Sequence, residues 1–123
     1  MSRATPALKA ARSCYGHLAG EAGVALREAL EAAAYLRLED DAYRLTESGG
    51  RWAETLGLDV DGRDPAKHAR ACLDWTERKP HIGGRLGRSL LALLVARGVA
   101  TAAAGRVILV PDPGAIRQAL RLR

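Results

Sequence analysis

The chain has 123 residues, of which 48% are hydrophobic, and this length suits one domain with one modest core or two small fused ones. No run of about 18 apolar residues is present, and the N-terminus lacks the pattern of a secretory signal, so we expect a cytoplasmic protein with no membrane partner. Two Trp, three Tyr and no Phe are too few aromatic residues for the stacking surface that single-stranded nucleic acid requires.

Charge is distributed unevenly along a chain whose formal net charge is +5. Residues 1–62 carry 7 basic and 10 acidic side chains, whereas residues 63–123 carry 12 basic and 4 acidic ones. The second half alone is therefore suited to contact with a polyanion. A general preference for Arg in the coding genome would give the same bias, and the sequence leaves both interpretations open.

The first half of the chain predicts three helices and one strand. Thr5 is suited to cap the first helix with Pro6 at its first position, and Thr46 is suited to cap the third. Apolar residues at helical spacing support the second helix. The predicted elements are a helix over 6–17, a helix over 20–37, a strand over 43–46 and a helix over 48–57.

The second half follows a turn-rich segment, 59–65, that coincides with the change in charge and predicts a linker. A strong apolar stripe of Leu86, Leu90, Leu93 and Leu94 predicts a core helix. The predicted elements are a helix over 65–75 capped by Asp64, a helix over 83–97, a β-hairpin over 98–111 and a last helix from Asp112 to about residue 121.

The two halves resemble each other when the chain is shifted by 64 residues. The shift places His17 on His81, and the residues that match with it are mostly glycines and leucines at predicted core or turn positions. This indicates an internal duplication, with chance agreement in a Leu-, Ala- and Gly-rich sequence as the alternative. We therefore predict an α+β fold, mostly α, made of two fused winged-helix-like repeats (helix-helix-hairpin-helix) over 6–58 and 65–122 in one compact domain.

Two segments carry a resemblance to a known family. Residues 12–20 (RSCYGHLAG) and 71–81 (ACLDWTERKPH) resemble the paired signatures in the C-terminal half of long bacterial ArsR-type winged-helix transcription regulators. Residues 43–46 with Gly50 and Arg51 resemble the strand-and-turn segment between those signatures. The resemblance spans about residues 8–122 and implies a DNA-binding, dimeric regulator that responds to a ligand or stress signal. The family's N-terminal DNA-binding winged helix has no counterpart in this sequence. Gly16 stands where the family usually has an acidic residue.

Four side chains from the two signatures are candidates for a metal site. On the predicted helix Cys14 and His17 share one face, and Cys72 precedes His81 at the corresponding place in the second half. If the halves pack about a pseudo-twofold axis, the four residues meet and form a Cys₂His₂ set suited to Zn²⁺. The alternative is a buried structural network in which the imidazoles bond to Asp74 or Glu77 and the cysteines act as small apolar residues.

Basic residues around the predicted helix over 83–97 are candidates for contact with double-stranded DNA. In a winged helix the helix before the hairpin enters the major groove and the wing contacts phosphates. The DNA-binding candidates are Arg78, Lys79, Arg85, Arg88, Ser89 and Arg106. A solvated cationic surface is the alternative.

The sequence offers no set of nucleophile, base and orienting group, and the carboxylates of Asp74 and Glu77 are better placed to pair with neighbouring cations. Trp52 and Trp75 are predicted core residues. We therefore expect a non-enzyme: an ArsR-like transcription-regulatory protein, a homodimer with a small-molecule or metal effector, that contacts DNA through its second repeat. The alternative is an effector-sensing or protein-interaction module with no DNA binding of its own.

Overall fold

A computed structural model describes residues 5–58 and 69–122 and has an α+β architecture of short antiparallel hairpins and helices. The elements of the first half are α1 (Pro6–Ala10), β1 (Arg12–Cys14), β2 (His17–Ala19), α2 (Gly20–Ala32), β3 (Leu36–Glu39), β4 (Ala42–Leu45) and α3 (Glu47–Thr55). Those of the second half are β5 (Ala71–Leu73), β6 (Pro80–Ile82), α4 (Gly84–Ala96), β7 (Thr101–Ala102), β8 (Ile108–Leu109) and α5 (Gly114–Ala119). Within these ranges no helix is long and apolar enough to cross a membrane.

The helix predicted over 6–17 is wrong beyond Ala10. Thr5 does cap α1 through its side chain, but β1 and β2 follow as a hairpin in which Cys14 pairs with His17. Tyr15 and Gly16, which join the strands, both have positive φ, +52° and +87°. Two successive left-handed residues form the tight turn that matches the twist of a hairpin, and they cannot continue a right-handed helix.

Two other predicted helices also need correction. The helix predicted over 20–37 ends at Ala32, because Ala34 has a φ of +62° and Leu36–Glu39 pair as a strand with Ala42–Leu45. The helix predicted over 65–75 is wrong at Ala71–Leu73, which pair with Pro80–Ile82. Residues 69–70 and 74–75 are not helical either, and the remaining part of that prediction, 65–68, lies outside the described residues together with the Asp64 cap and the whole predicted linker, 59–65.

The long helices of the two halves match in length and spacing. Both α2 and α4 have 13 residues, begin 64 positions apart and follow a hairpin directly. A second hairpin and a shorter helix come next in each half. The order is therefore hairpin, helix, hairpin, helix, with a hairpin where the sequence predicted the first helix of each unit.

The two halves pack crosswise around one apolar core. Helix α2 lies against β6 of the other half, and α4 lies against β2. Backbone bridges cross in the same way, from Arg12 to Val107 and from Arg70 to Ala42. Leu86, Leu90 and Leu94 are buried as predicted. The hairpins that carry the cysteines and histidines consequently meet in the middle of the molecule.

Close packing of each long helix on its own hairpin depends on one glycine. A Cβ added at Gly23 would lie 2.3 Å from the Leu18 carbonyl oxygen, and one at Gly87 would lie 2.2 Å from that of Ile82. Both distances are far below van der Waals contact, so only glycine allows the helices to approach this closely.

Candidate metal centre

The two central hairpins position the four candidate ligands as cross-strand pairs. Cys14 lies opposite His17 in the first hairpin, and Cys72 lies opposite His81 in the second. Directly opposed residues of an antiparallel pair have neighbouring side chains, so each hairpin presents one thiol beside one imidazole. The predicted proximity of Cys14 and His17 is correct, although it arises across a hairpin and not along a helix.

Packing of the halves brings the two pairs together as the sequence predicted. One ligand atom from each of Cys14, His17, Cys72 and His81 lies within 4.8 Å of the other three. The imidazole rings have centroids 5.0 Å apart, and both are buried, while the cysteines are half-buried. A separation of this size allows one ion to be reached by all four side chains after small rotations.

Asp74 determines which ring nitrogen of His81 carries the proton. Burial alone would raise the pKa of Asp74, but hydrogen bonds from Gly20 and Thr76 and the charge of Arg12 hold this pKa well below its ordinary value. The ionised Oδ2 lies 2.9 Å from His81 Nδ1, so this nitrogen carries the proton and donates it. His81 Nε2 is left as a lone pair, buried and with no hydrogen-bond partner among the described residues.

The other imidazole is neutral for a different reason. Burial lowers the pKa of His17 to about 4, with further contributions from His81, Arg88 and Arg70. Its Nδ1 is buried and meets no partner in the described ranges. The ring is therefore uncharged near neutral pH, as a metal ligand must be.

The thiols are free and adjacent. Burial raises the pKa of the Cys72 thiol, and the neighbouring Cys14 raises it further. A bound cation would reverse both effects, because thiolates are the form that binds metal. Two thiols and two neutral imidazoles, with His81 Nε2 buried and unpaired in the described ranges, fit a tetrahedral Zn²⁺ site, and the carboxylate on His81 Nδ1 is the usual outer support of such a ligand.

Arg12 is the functional neighbour that the sequence did not single out. Its side chain is 1% exposed, and Nη2 lies 2.9 Å from Asp74 Oδ1. Trp75, predicted to be in the core, is 42% exposed, and its ring lies over the Arg12 guanidinium, whose Cζ is 4.5 Å from the ring centroid. Trp52 is buried as predicted and donates to the Leu120 carbonyl. Arg12 is the first residue of the signature 12–20, and this position is the one feature of the sequence that points to its role.

The DNA-binding candidates lie on three different elements. Arg78 and Lys79 belong to the loop between β5 and β6, whereas Arg85, Arg88 and Ser89 lie in the first half of α4. Their side chains are exposed except for that of Ser89, which is half-buried. Arg106 Nε donates to the Ser13 carbonyl at 3.0 Å and ties the last hairpin to β1.

Comparison with known proteins finds one similarity that covers most of the chain. Over 87 residues the chain is 37% identical to YdfF of Bacillus subtilis (strain 168), which is described as an uncharacterized HTH-type transcriptional regulator. The match covers 69% of this chain and 38% of YdfF, so the chain spans less than half of that regulator's length. No family model and no solved structure gives a significant match. The similarity supports a relation to a family of transcription regulators.

Proposed function

We propose that this chain is the signal-receiving module of a transcription regulator, and that the signal is a soft divalent metal ion, Zn²⁺ by preference, held by Cys14, His17, Cys72 and His81. The main support for this proposal is that the ligand atoms of these four residues all lie within 4.8 Å of one another. The regulator role rests on the similarity to YdfF. The proposal includes membership of the ArsR-type regulators, a homodimer and a cytoplasmic location.

Metal binding at this place has a structural consequence. Each hairpin supplies one thiol and one imidazole, and each hairpin packs against the long helix of the other half. An ion shared by four ligands therefore cross-links the two halves at their junction. Binding free energy at such a site is also folding free energy, so the metal would set how tightly the halves are held together.

Zinc titration of the metal-free protein tests the metal part of the proposal. We expect one Zn²⁺ per chain in equilibrium dialysis, with a rise in Tm. At free zinc 100-fold above the Kd, the gain in stability is about 2.7 kcal/mol. Cys14→Ser and Cys72→Ser should each weaken binding at least 100-fold, whereas Ser13→Ala on the same hairpin should leave it unchanged. Equal zinc binding by wild type and both Cys variants would refute the site.

The regulatory part needs a readout in cells. Transcript levels measured before and after zinc stress should change for a set of genes in cells that carry the wild-type protein. The response should be lost with Cys72→Ser and kept with Ser13→Ala. A response that is the same in all three strains would separate metal binding from regulation.

Contact with double-stranded DNA is the second candidate function, favoured by the exposed Arg85 and Arg88 near the start of α4. The first residues of a helix placed in the major groove are those that contact bases. Duplex binding measured at two salt concentrations tests this, because affinity that depends on phosphate contacts falls steeply with salt. Arg85→Ala and Arg88→Ala should each cost about 1–3 kcal/mol where the side chain reads a base. Unchanged affinity and salt slope would remove α4 from the interface.

A further inference from the structure

The Asp74 carboxylate is surrounded by hydrogen-bond donors at the start of α2. Its Oδ2 accepts from the Gly20 N–H at 2.6 Å and from His81 Nδ1 at 2.9 Å, and its Oδ1 accepts from Arg12 Nη2 at 2.9 Å. A helix N-terminus, an imidazole N–H and a guanidinium thus converge on one carboxylate. This combination is a strong anion site, because all three donors favour negative charge.

The pseudo-symmetric place at the start of α4 has the same three kinds of donor. Gly84 begins α4 as Gly20 begins α2, and His17 corresponds to His81. Arg12 pairs with Ala19, the residue before Gly20, and the Arg70 carbonyl accepts from the N–H of Gly83, the residue before Gly84. Arg70 therefore holds in the second hairpin the position that Arg12 holds in the first.

No carboxylate of the described residues fills this second place. The turn between β1 and β2 has only Tyr15 and Gly16, whereas the corresponding turn between β5 and β6 is the loop 74–79 that carries Asp74. A cleft of about 580 Å³ opens there, lined by His17, Arg70, Gly84 and Arg88. His17 is 5% exposed with an unpartnered Nδ1, and neither arginine pairs with a carboxylate in the described ranges.

The side chains that line the cleft indicate the chemistry of the rest of the ligand. Tyr15 at one hairpin tip is 91% exposed, and Leu73 beside the other is 64% exposed, and both line the cleft. Apolar side chains left this open beside convergent polar donors are typical of a small-molecule site. They would contact an apolar or aromatic body attached to the anionic group.

We propose that this cleft binds a small monocarboxylate with an apolar or aromatic body, whose carboxylate takes at Gly84, His17 and Arg70 the place that Asp74 takes at Gly20, His81 and Arg12. Arg88, on the next turn of α4, adds a second positive charge with no counterpart at the Asp74 site. Carboxylate binding in this cleft requires no metal ion.

Benzoate is the probe, titrated into metal-free ¹⁵N-labelled protein in the presence of a chelator. We expect saturable changes in the NMR spectrum with a downfield shift of the Gly84 amide proton, and no such change with benzamide, the neutral analogue. Phosphate should compete more than tenfold less well than benzoate. Absence of saturable benzoate binding, or equal binding of benzamide, would overturn the proposal. Tighter binding of phosphate would overturn the assignment of a carboxylate with an apolar body.

Charge variants locate the site. Arg70→Gln and Arg88→Gln should each weaken benzoate binding about tenfold or more, since a charged hydrogen bond is being removed. Arg117→Gln on α5 makes the same change of charge on an exposed residue outside the cleft and should leave the Kd unchanged. Equal effects of all three variants would show only general charge attraction and would refute the site. Zinc binding is measured separately, so failure of either proposal does not decide the other.

Discussion

The two histidines at the centre of the molecule have the same backbone setting and different surroundings. His81 donates to a buried, ionised Asp74, whereas His17 faces a cleft and leaves Nδ1 unpartnered among the described residues. The difference comes from the turn ahead of each histidine, two residues in one hairpin and the loop 74–79 in the other. One site is completed by the chain itself, and the equivalent site is left for a ligand.

The completed site should show the largest effect on stability. Asp74→Ala would leave the Arg12 guanidinium buried without its partner and remove the acceptor of the Gly20 and His81 N–H groups. We expect a loss of about 3–5 kcal/mol in the free energy of unfolding, measured by urea denaturation. Glu77→Ala in the same loop is the control and should change stability by less than about 0.5 kcal/mol. Similar results for the two variants would contradict the central role of Asp74.

The two halves are alike at Gly23 and Gly87, so we expect substitutions at these glycines to have similar effects on stability. Gly23→Ala and Gly87→Ala each force a Cβ against a carbonyl oxygen of the preceding strand. We expect each to lower the free energy of unfolding by about 1–3 kcal/mol, as overpacking does. Gly50→Ala in α3 has open space around the new Cβ and should raise stability by about 0.5–1 kcal/mol. A cost at only one of the two equivalent glycines would break the symmetry.

Gly83 lies beside the candidate metal centre, and the first half has no glycine at the equivalent position. A Cβ there would lie 3.3 Å from His17 Nε2 and 3.5 Å from the Cys72 Cβ. Its φ of −99° accepts alanine, and Ala19 already holds the equivalent position in the first half. Gly83→Ala should therefore keep the fold and weaken zinc binding about tenfold, which corresponds to about 1.4 kcal/mol. An unchanged zinc Kd in the dialysis experiment would place the ion away from His17 and Cys72.

The smallest effect on stability is expected at Gly16, beside the cleft that His17 and Arg88 line. A Cβ at Gly16 would lie 3.2 Å from the Arg88 Cδ, so an acidic side chain there would reach the positive charge of the cleft. We expect Gly16→Asp to be more stable than Gly16→Asn by about 0.5–1 kcal/mol in thermal unfolding, because both carry the same strain from the positive φ and only Asp carries charge. Equal stabilities would argue against a favourable anion position at this point.

Helix periodicity made α2 and α4 predictable, and their predicted starts differ from the structure by at most one residue. The hairpin predicted over 98–111 is confirmed by β7 and β8. The first hairpin was missed because residues 12–19 contain mostly residue types that helices also accept, and only the Tyr15–Gly16 turn decides against a helix. The Cys/His cluster was predicted from the equivalence of the two histidines, which does not depend on the local structure around them. Arg12 could not be predicted, since its partner Asp74 is 62 residues away and only packing of the halves brings them together.

The central claim is that one metal ion is shared by ligands from both halves. X-ray absorption at the zinc edge of the loaded protein measures this directly. We predict two sulfur ligands at about 2.3 Å and two nitrogen ligands at about 2.0–2.1 Å, with one sulfur lost in Cys72→Ser. A first shell made only of nitrogen and oxygen, or a shell unchanged by Cys72→Ser, would contradict it.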